Sequence, residues 1–424
     1  MNRLIFAVII LMIQFYLSSS FAQGKLLKEK QLGKVKKYRS LEEAISEKDS
    51  VYILYLDDKS LVSLPDEIEH LVNLQEIYIR NNKLKEFPTA LLKFKNLQVI
   101  DLERNNISII QESVSELKYL KSLRLSNNNI KKIPNSIGDL SNLELLDLGW
   151  NGIEKLPAQI CDLPALKYLF LDDNNLKTVP ENIGNLKKLI GLSFTGNHLT
   201  ELPPSMGNLT KLNYLEVGKN QLSDLPEELN NLNSLKGLIL RANEFVKFPK
   251  SITGLKKLEY ISICHNKLDT IDLEMDMPLL FDIDFRNNEL SSFTGDLSKL
   301  KSLKRLDFGD NNFSFIPTGP TTAPNLERLY LSNNKIRKLS GSVTRMSHLE
   351  RLYLDDNLVD YVSESIGDME KLTHLKLNNN PISSLPESIV KCPDLEFLYL
   401  ENTNLTNEQV EDVKSKNKQV MVSF

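Results

Sequence analysis

Residues 145–157 read LLDLGWNGIEKLP, and residues 168–180 read YLFLDDNNLKTVP. Aligned on Asn151 and Asn174, both stretches place Leu, Ile or Val five and three residues before the asparagine, and two and five after it. The same frame recurs at Asn82, Asn105, Asn128, Asn197, Asn220, Asn243, Asn266, Asn288, Asn311, Asn334, Asn357 and Asn380, every step being 23 residues except one of 22 between Asn266 and Asn288. It extends upstream to Lys59 and downstream to Thr403, which makes sixteen units. Self-similarity at one short period is the signature of a stacked array, in which no unit can bury its apolar face alone.

Within a unit, the apolar pair before the asparagine alternates with polar letters, the period of a half-buried strand. A later trio, such as Ile137, Leu140 and Leu143, is spaced by three, like a short helical or 3₁₀ segment. The asparagine side chain both donates and accepts hydrogen bonds, so it can satisfy backbone groups where each strand turns inward. Stacked in register, the fourteen asparagines become an internal ladder. Proline six residues after the asparagine, as at Pro134 and Pro157, suits an extended segment leaving the strand.

These units resemble leucine-rich repeats of the 23-residue class, LxxLxLxxNxLxxLPxxIxxLxNL, over about residues 51–405, and the chain is similar to exported bacterial proteins of that kind. The resemblance implies an α/β repeat fold: a right-handed, curved solenoid with a parallel β-sheet on its concave side and short helical, 3₁₀ or extended segments on its convex side. Two units depart from the pattern. The one after Asn266 is a residue short and carries Met275 and Met277 at aliphatic positions; the one after Asn311 carries Pro320 and Ala323. Irregular convex structure is expected at both.

Both flanks read as separate segments. Residues 1–22 have one early cation (Arg3), an apolar run from Leu4 to Leu17 and a small-x-small site, Ser20-Phe21-Ala22. That is the pattern of a cleaved secretory signal peptide, because the apolar run falls short of the roughly 20 residues that span a bilayer. Residues 23–50 read as a basic, flexible segment followed by a cap helix opening at Ser40, where Ser40 and Glu43 form a capping box. Residues 406–424 read as a closing cap: a helix opened by Thr406 and Gln409, then an edge strand. The protein is therefore expected to be exported, to the periplasm, cell surface or medium.

A formal net charge of −4 argues against a nucleic-acid binder, and three cysteines cannot frame a disulfide scaffold. His265 and His374, five units apart, are separated by roughly 24 Å at strand spacing, too far to share a metal. With no phosphate loop or HExxH helix, no catalytic residues, metal or cofactor are expected, and no membrane span after cleavage. What remains is surface recognition. Positions −6, −4, −2 and −1 from the asparagine are expected to face out of the sheet. They carry Asp147, Trp150, Tyr168, Phe170, Asp172, Tyr214, Glu216, Arg241, Tyr260, Arg305, Arg328, Tyr330, Arg351 and Tyr353. Aromatic residues and arginine are the types that anchor interfaces, and Trp150, Tyr168 and Phe170 together resemble a pocket wall. Cross-strand pairing, Arg328 to Asp307 for instance, is the competing structural role for the arginines. The expectation is a non-enzymatic exported protein that binds a protein or peptide on its concave face. Carbohydrate or envelope-polymer binding and a scaffold without a dedicated ligand are the alternatives.

Overall fold

Alternation around the −5 and −3 positions produces a three-residue strand in each of the sixteen repeats, from Ile53–Tyr55 to Phe397–Tyr399. The computed structural model describes residues 26–272 and 274–424; the expected signal peptide lies outside them. The chain divides into two compact units, Met1–Asn175 and Leu176–Phe424. Each is a repeat solenoid with its strands stacked as one parallel sheet on the concave side.

In the first unit the central strand residues line up as Leu54, Ile77, Ile100, Leu123, Leu146 and Leu169. In the second they run Leu192, Leu215, Leu238, Ile261, Ile283, Leu306, Leu329, Leu352, Leu375 and Leu398. All are buried, and each such side chain contributes about 1.5–3 kcal/mol on burial. On the convex side, prolines such as Pro134 (φ −67°, ψ 150°) and Pro157 (φ −68°, ψ 142°) lead into 3₁₀ turns, Asn135–Asp139 and Ala158–Asp162.

Each asparagine stitches consecutive repeats together. Asn128 Oδ1 accepts from the Ile107 N–H at 2.9 Å, while its Nδ2 donates to the carbonyls of Leu102 and Leu125, both at 3.0 Å. The N–H to Oδ1 bond recurs at every one of the fourteen positions, from Leu61 to Asn82 through Val359 to Asn380. All of these side chains are buried except Asn151, which is half-buried between Gly149 and Gly152.

The irregularities fall differently from expectation. After Asn266 the described residues form no convex 3₁₀ turn, as expected, and Met275 and Met277 are fully buried. The unit after Asn288 lacks one too, and Thr270–Ile271 pairs with Ser292–Phe293 instead. The unit after Asn311, expected to be irregular, keeps a 3₁₀ turn over Gly319–Thr322. The reason is a cluster of phenylalanines. Phe285 stacks on Phe308 at 5.4 Å, and Phe293 meets both edge-on at 5.8 and 5.3 Å. These rings fill volume that leucine leaves open, and Gly319 admits one of them: a Cβ there would lie 2.3 Å from Phe293 Cδ1.

The expectation of a flexible basic segment ahead of the cap helix at Ser40 is corrected for its described part. Residues Glu29–Leu32 form a helical turn, and Lys37–Tyr38 pairs with Ile53–Leu54. Charge misled here, because the two apolar residues decide: Leu32 and Tyr38 are buried, and the Tyr38 hydroxyl donates to Glu47 at 2.7 Å. Lys36 is held by Glu43 and Glu47. Helix Leu41–Ser46 follows, its Glu43 N–H bonded to the Ser40 hydroxyl. At the other end, Thr406 and Gln409 cap helix Asn407–Lys416 reciprocally, and Met421–Ser423 pairs with Phe397–Tyr399.

Candidate functional site

Backbone geometry sorts the residues of the concave side. At all sixteen −1 positions φ is positive, from Asp58 at 60° to Asn402 at 56°. Asn, Asp and Gly hold eleven of the sixteen, as expected for residues that tolerate the left-handed region. Trp150, at φ 49°, is the bulkiest of the rest and stands 46% exposed. A bulky side chain in that conformation is a genuine outlier, and such strain gathers at functional sites.

The other three outward positions are less open than expected. Tyr168 is only 7% exposed and Asp172 only 4%, while Asp147 and Phe170 are half-buried. The Tyr168 and Phe170 rings stack at 6.3 Å, so the aromatic pair presents mainly the Phe170 ring beside Trp150's repeat. Strands at parallel-sheet spacing carry side chains that cover one another, and in the first unit the −1 residues, turned out by their positive φ, are the more exposed ones. Asp101 shows the limit: its carboxylate is fully buried under Arg80 (2.7 Å) and Arg124 (3.6 Å).

Burial pushes the Asp147 carboxyl up to about 6, against the Gly149 N–H, Arg124 and Ser126, which favour the charged form. A carboxyl with a raised folded-state pKa binds its proton more tightly folded than unfolded. The cost of burying charged Asp147 is therefore present above about pH 6 and relieved as pH falls towards 4. The difference in urea midpoint between Asp147→Asn and wild type is expected to shrink as pH is lowered from about 8 to about 4. A difference that stays constant over that range would show that Asp147 does not titrate there.

In the second unit, Tyr214, Glu216, Arg241 and Tyr260 are half-buried. Tyr260 lies across Gly237, where a Cβ would sit 2.2 Å from its hydroxyl, so this tyrosine packs along the sheet. Burial raises the pKa of Glu216 and Tyr260 alike. Farther along, Arg305, Arg328 and Arg351 occupy one register position on three consecutive strands, with Tyr330 and Tyr353 paired beside them. The Arg328–Asp307 pairing weighed from sequence does not form. Asp307 is held by Arg305 at 2.6 Å and Arg286 at 3.3 Å, and Arg305 also reaches Asp282 at 2.7 Å. Tyr330 and Tyr353 meet edge-on at 4.9 Å, and Arg305 lies over the Tyr330 ring at 5.0 Å. Lys376 was missed from sequence, although it holds the same −4 position as Tyr330 and Tyr353. Its ammonium sits over the rings of Tyr353 and Tyr399 at 4.8 and 4.9 Å. Among the described residues, no group of three or more His, Cys, Asp or Glu could hold a metal ion.

This geometry defines a repeat scaffold with a residue-lined concave sheet, and comparison with known proteins gives its family. The leucine-rich repeat region profile matches residues 89–166, 159–222 and 205–315. A second leucine rich repeat profile matches 49–107, 302–359 and 348–405. The chain belongs to the leucine-rich repeat family. A comparison with curated proteins returned no match. Among solved structures, a leucine-rich repeat protein of Leptospira interrogans is 29% identical with a TM-score of 0.82, covering 92% of this chain and 100% of that one. The plant peptide hormone receptor RGFR1 in complex with RGF2 is 23% identical (TM-score 0.69, 91% and 68% covered). An internalin from Listeria monocytogenes is 21% identical (TM-score 0.57, 84% and 88% covered). The latter two show the shared fold alone. The leucine-rich repeat fold is in general a non-enzymatic scaffold for protein interaction, its extended concave surface being the usable face, and no enzymatic family is indicated. No helix among the described residues is long and apolar enough to cross a membrane.

Proposed function

We propose that this is an exported bacterial protein that binds a protein or peptide partner on its concave face, with Trp150 and Phe170 as the anchor in the first unit. One observation carries the reading: the chain's single tryptophan is exposed in a left-handed conformation that glycine or asparagine would hold at lower cost. A large ring retained there against its own conformational preference serves contact with something outside the fold. The signal-peptide pattern of residues 1–22 supports export.

The test uses Trp150→Asn, since asparagine already occupies the equivalent left-handed position at Asn81, Asn127, Asn287 and Asn333. The variant is expected to be about 1 kcal/mol more stable than wild type in urea denaturation. Partner capture from the native envelope by the purified protein is expected to weaken by about tenfold or more. Capture that survives the substitution would remove Trp150 from the interface. A glycan array that binds wild type but not Trp150→Asn, with no protein captured, would replace the protein partner with a carbohydrate one.

A further inference from the structure

Two arginines of the second unit stand apart in their surroundings. Arg286 and Arg305 are each clamped by two aspartates. Arg328 and Arg351, directly opposite one another on adjacent strands, form no ion pair among the described residues. Each has its Nε–H shielded from solvent with no hydrogen-bond partner. The carboxylate that could have served Arg328, Asp307, is already taken. Continuing the column, the next residue is His374, whose imidazole is pushed toward its neutral form by burial and by Arg351, and beside it runs Lys376. Asp355, in the repeat of Arg351, is engaged by the Asn378 N–H and the Ser332 hydroxyl.

Like charges directly opposite on a sheet repel, and a shielded guanidinium N–H without an acceptor carries a desolvation cost. Among the described residues, neither arginine has an ion pair or an acceptor for its Nε–H to compensate. An oxyanion bridging the terminal Nη groups of the two side chains would offset the repulsion, because planar guanidinium groups bind carboxylate, sulfate and phosphate through paired N–H donors. On the same face, the adjacent register position of these strands carries Tyr330, Tyr353 and Lys376.

We propose that Arg328 and Arg351 form a binding site for an oxyanion group of the ligand, a carboxylate, sulfate or phosphate. The proposal rests on the concave-face reading and names the chemistry the second unit recognises. The partner's acidic side chains and a phosphate or sulfate group are the two sources of that chemistry.

The mature protein is titrated at constant ionic strength, with inorganic phosphate and sulfate in one arm and succinate in the other; the thermal midpoint and the arginine Nε–H resonances are followed. At least one arm is expected to raise the midpoint saturably and to move two Nε–H resonances, which Arg328→Gln and Arg351→Gln each remove singly. The arm that saturates at lower concentration identifies the source. In the double variant the saturable rise disappears, while its midpoint without anion is no lower than that of wild type, since no partner within the fold is lost. Arg351→Lys keeps the charge but not the fork and is expected to weaken binding about tenfold. Equal midpoint shifts in wild type and double variant, or no saturable shift in either arm, would overturn the site. The result is separable from the partner reading: failed titration with intact partner capture removes only the oxyanion site. Intact titration with no captured partner removes the protein-partner reading alone.

Discussion

Asn243→Leu is expected to destabilise the protein by about 3 kcal/mol or more, because each buried backbone group left without a partner costs about 1–3 kcal/mol. Asn243 Oδ1 accepts the Leu222 N–H at 3.0 Å, and its Nδ2 donates to the carbonyls of Val217 and Leu240, both at 3.0 Å. Leucine has nearly the same shape, so the core stays filled and the loss is almost purely one of hydrogen bonding. A stacked array couples each repeat to its neighbours, so the damage is expected to spread beyond one turn. The urea midpoint should fall, and amide exchange at Leu222 should accelerate more than at Leu375 in a distant repeat. A loss below about 1 kcal/mol would mean that water reaches these groups and that the ladder is not the fastening assigned to it.

The second large effect is expected at Gly184. A Cβ there would sit 2.1 Å from the Ser205 carbonyl oxygen and 2.9 Å from its carbon. The obstacle is backbone, so no rotamer change relieves it. The turns Ile183–Asn185 and Pro204–Asn208 would have to part, loosening the buried Ile183 and Met206. Gly184→Val is expected to cost about 3 kcal/mol, at the upper end of overpacking. Gly33→Ala is the control: its nearest contact would be 3.5 Å from Glu29 O, with φ −60°, and the expected change is within about 0.5 kcal/mol. Equal effects at the two positions would show that the close approach of successive turns does not constrain this fold. Gly138, Gly207 and Gly367 occupy the same place in their repeats, with Cβ contacts of 2.4, 2.2 and 2.7 Å to the next turn. The recurring Ile-Gly or Met-Gly pair is thus the sequence mark of tight convex packing.

How far the letters reached can be judged at particular residues. Leu146, Leu148, Ile153 and Leu156 were assigned to the core by their spacing, and all four are buried. The register of Arg305, Arg328 and Arg351 followed from counting alone. Helix Asn407–Lys416 began where Thr406 and Gln409 placed it. The outward residues were read less well. Tyr168 and Asp172 were expected on display and are buried, while Trp150 is exposed for a reason that spacing did not reveal, its positive φ. The Asn, Asp and Gly residues recurring just before each asparagine were the available signal. Which acid holds which arginine also escaped the sequence, since Asp307 lies within register reach of both Arg305 and Arg328 and binds the first.

By itself, the sequence determined the repeat, its period, the asparagine ladder, the core letters and the capping helix of each flank. The repeat features follow from short-range chemistry repeated sixteen times, so each unit confirms the others, and the two helices from their own N-cap residues, Ser40 and Thr406. Only the tertiary structure decided which concave residues remain accessible, where the convex turns lapse around the phenylalanine cluster, and that Arg328 and Arg351 are left with an unpartnered Nε–H. Those outcomes depend on competition between side chains of neighbouring strands for the same space and the same partners. That competition is settled when the strands stack, and a single strand's letters do not contain it.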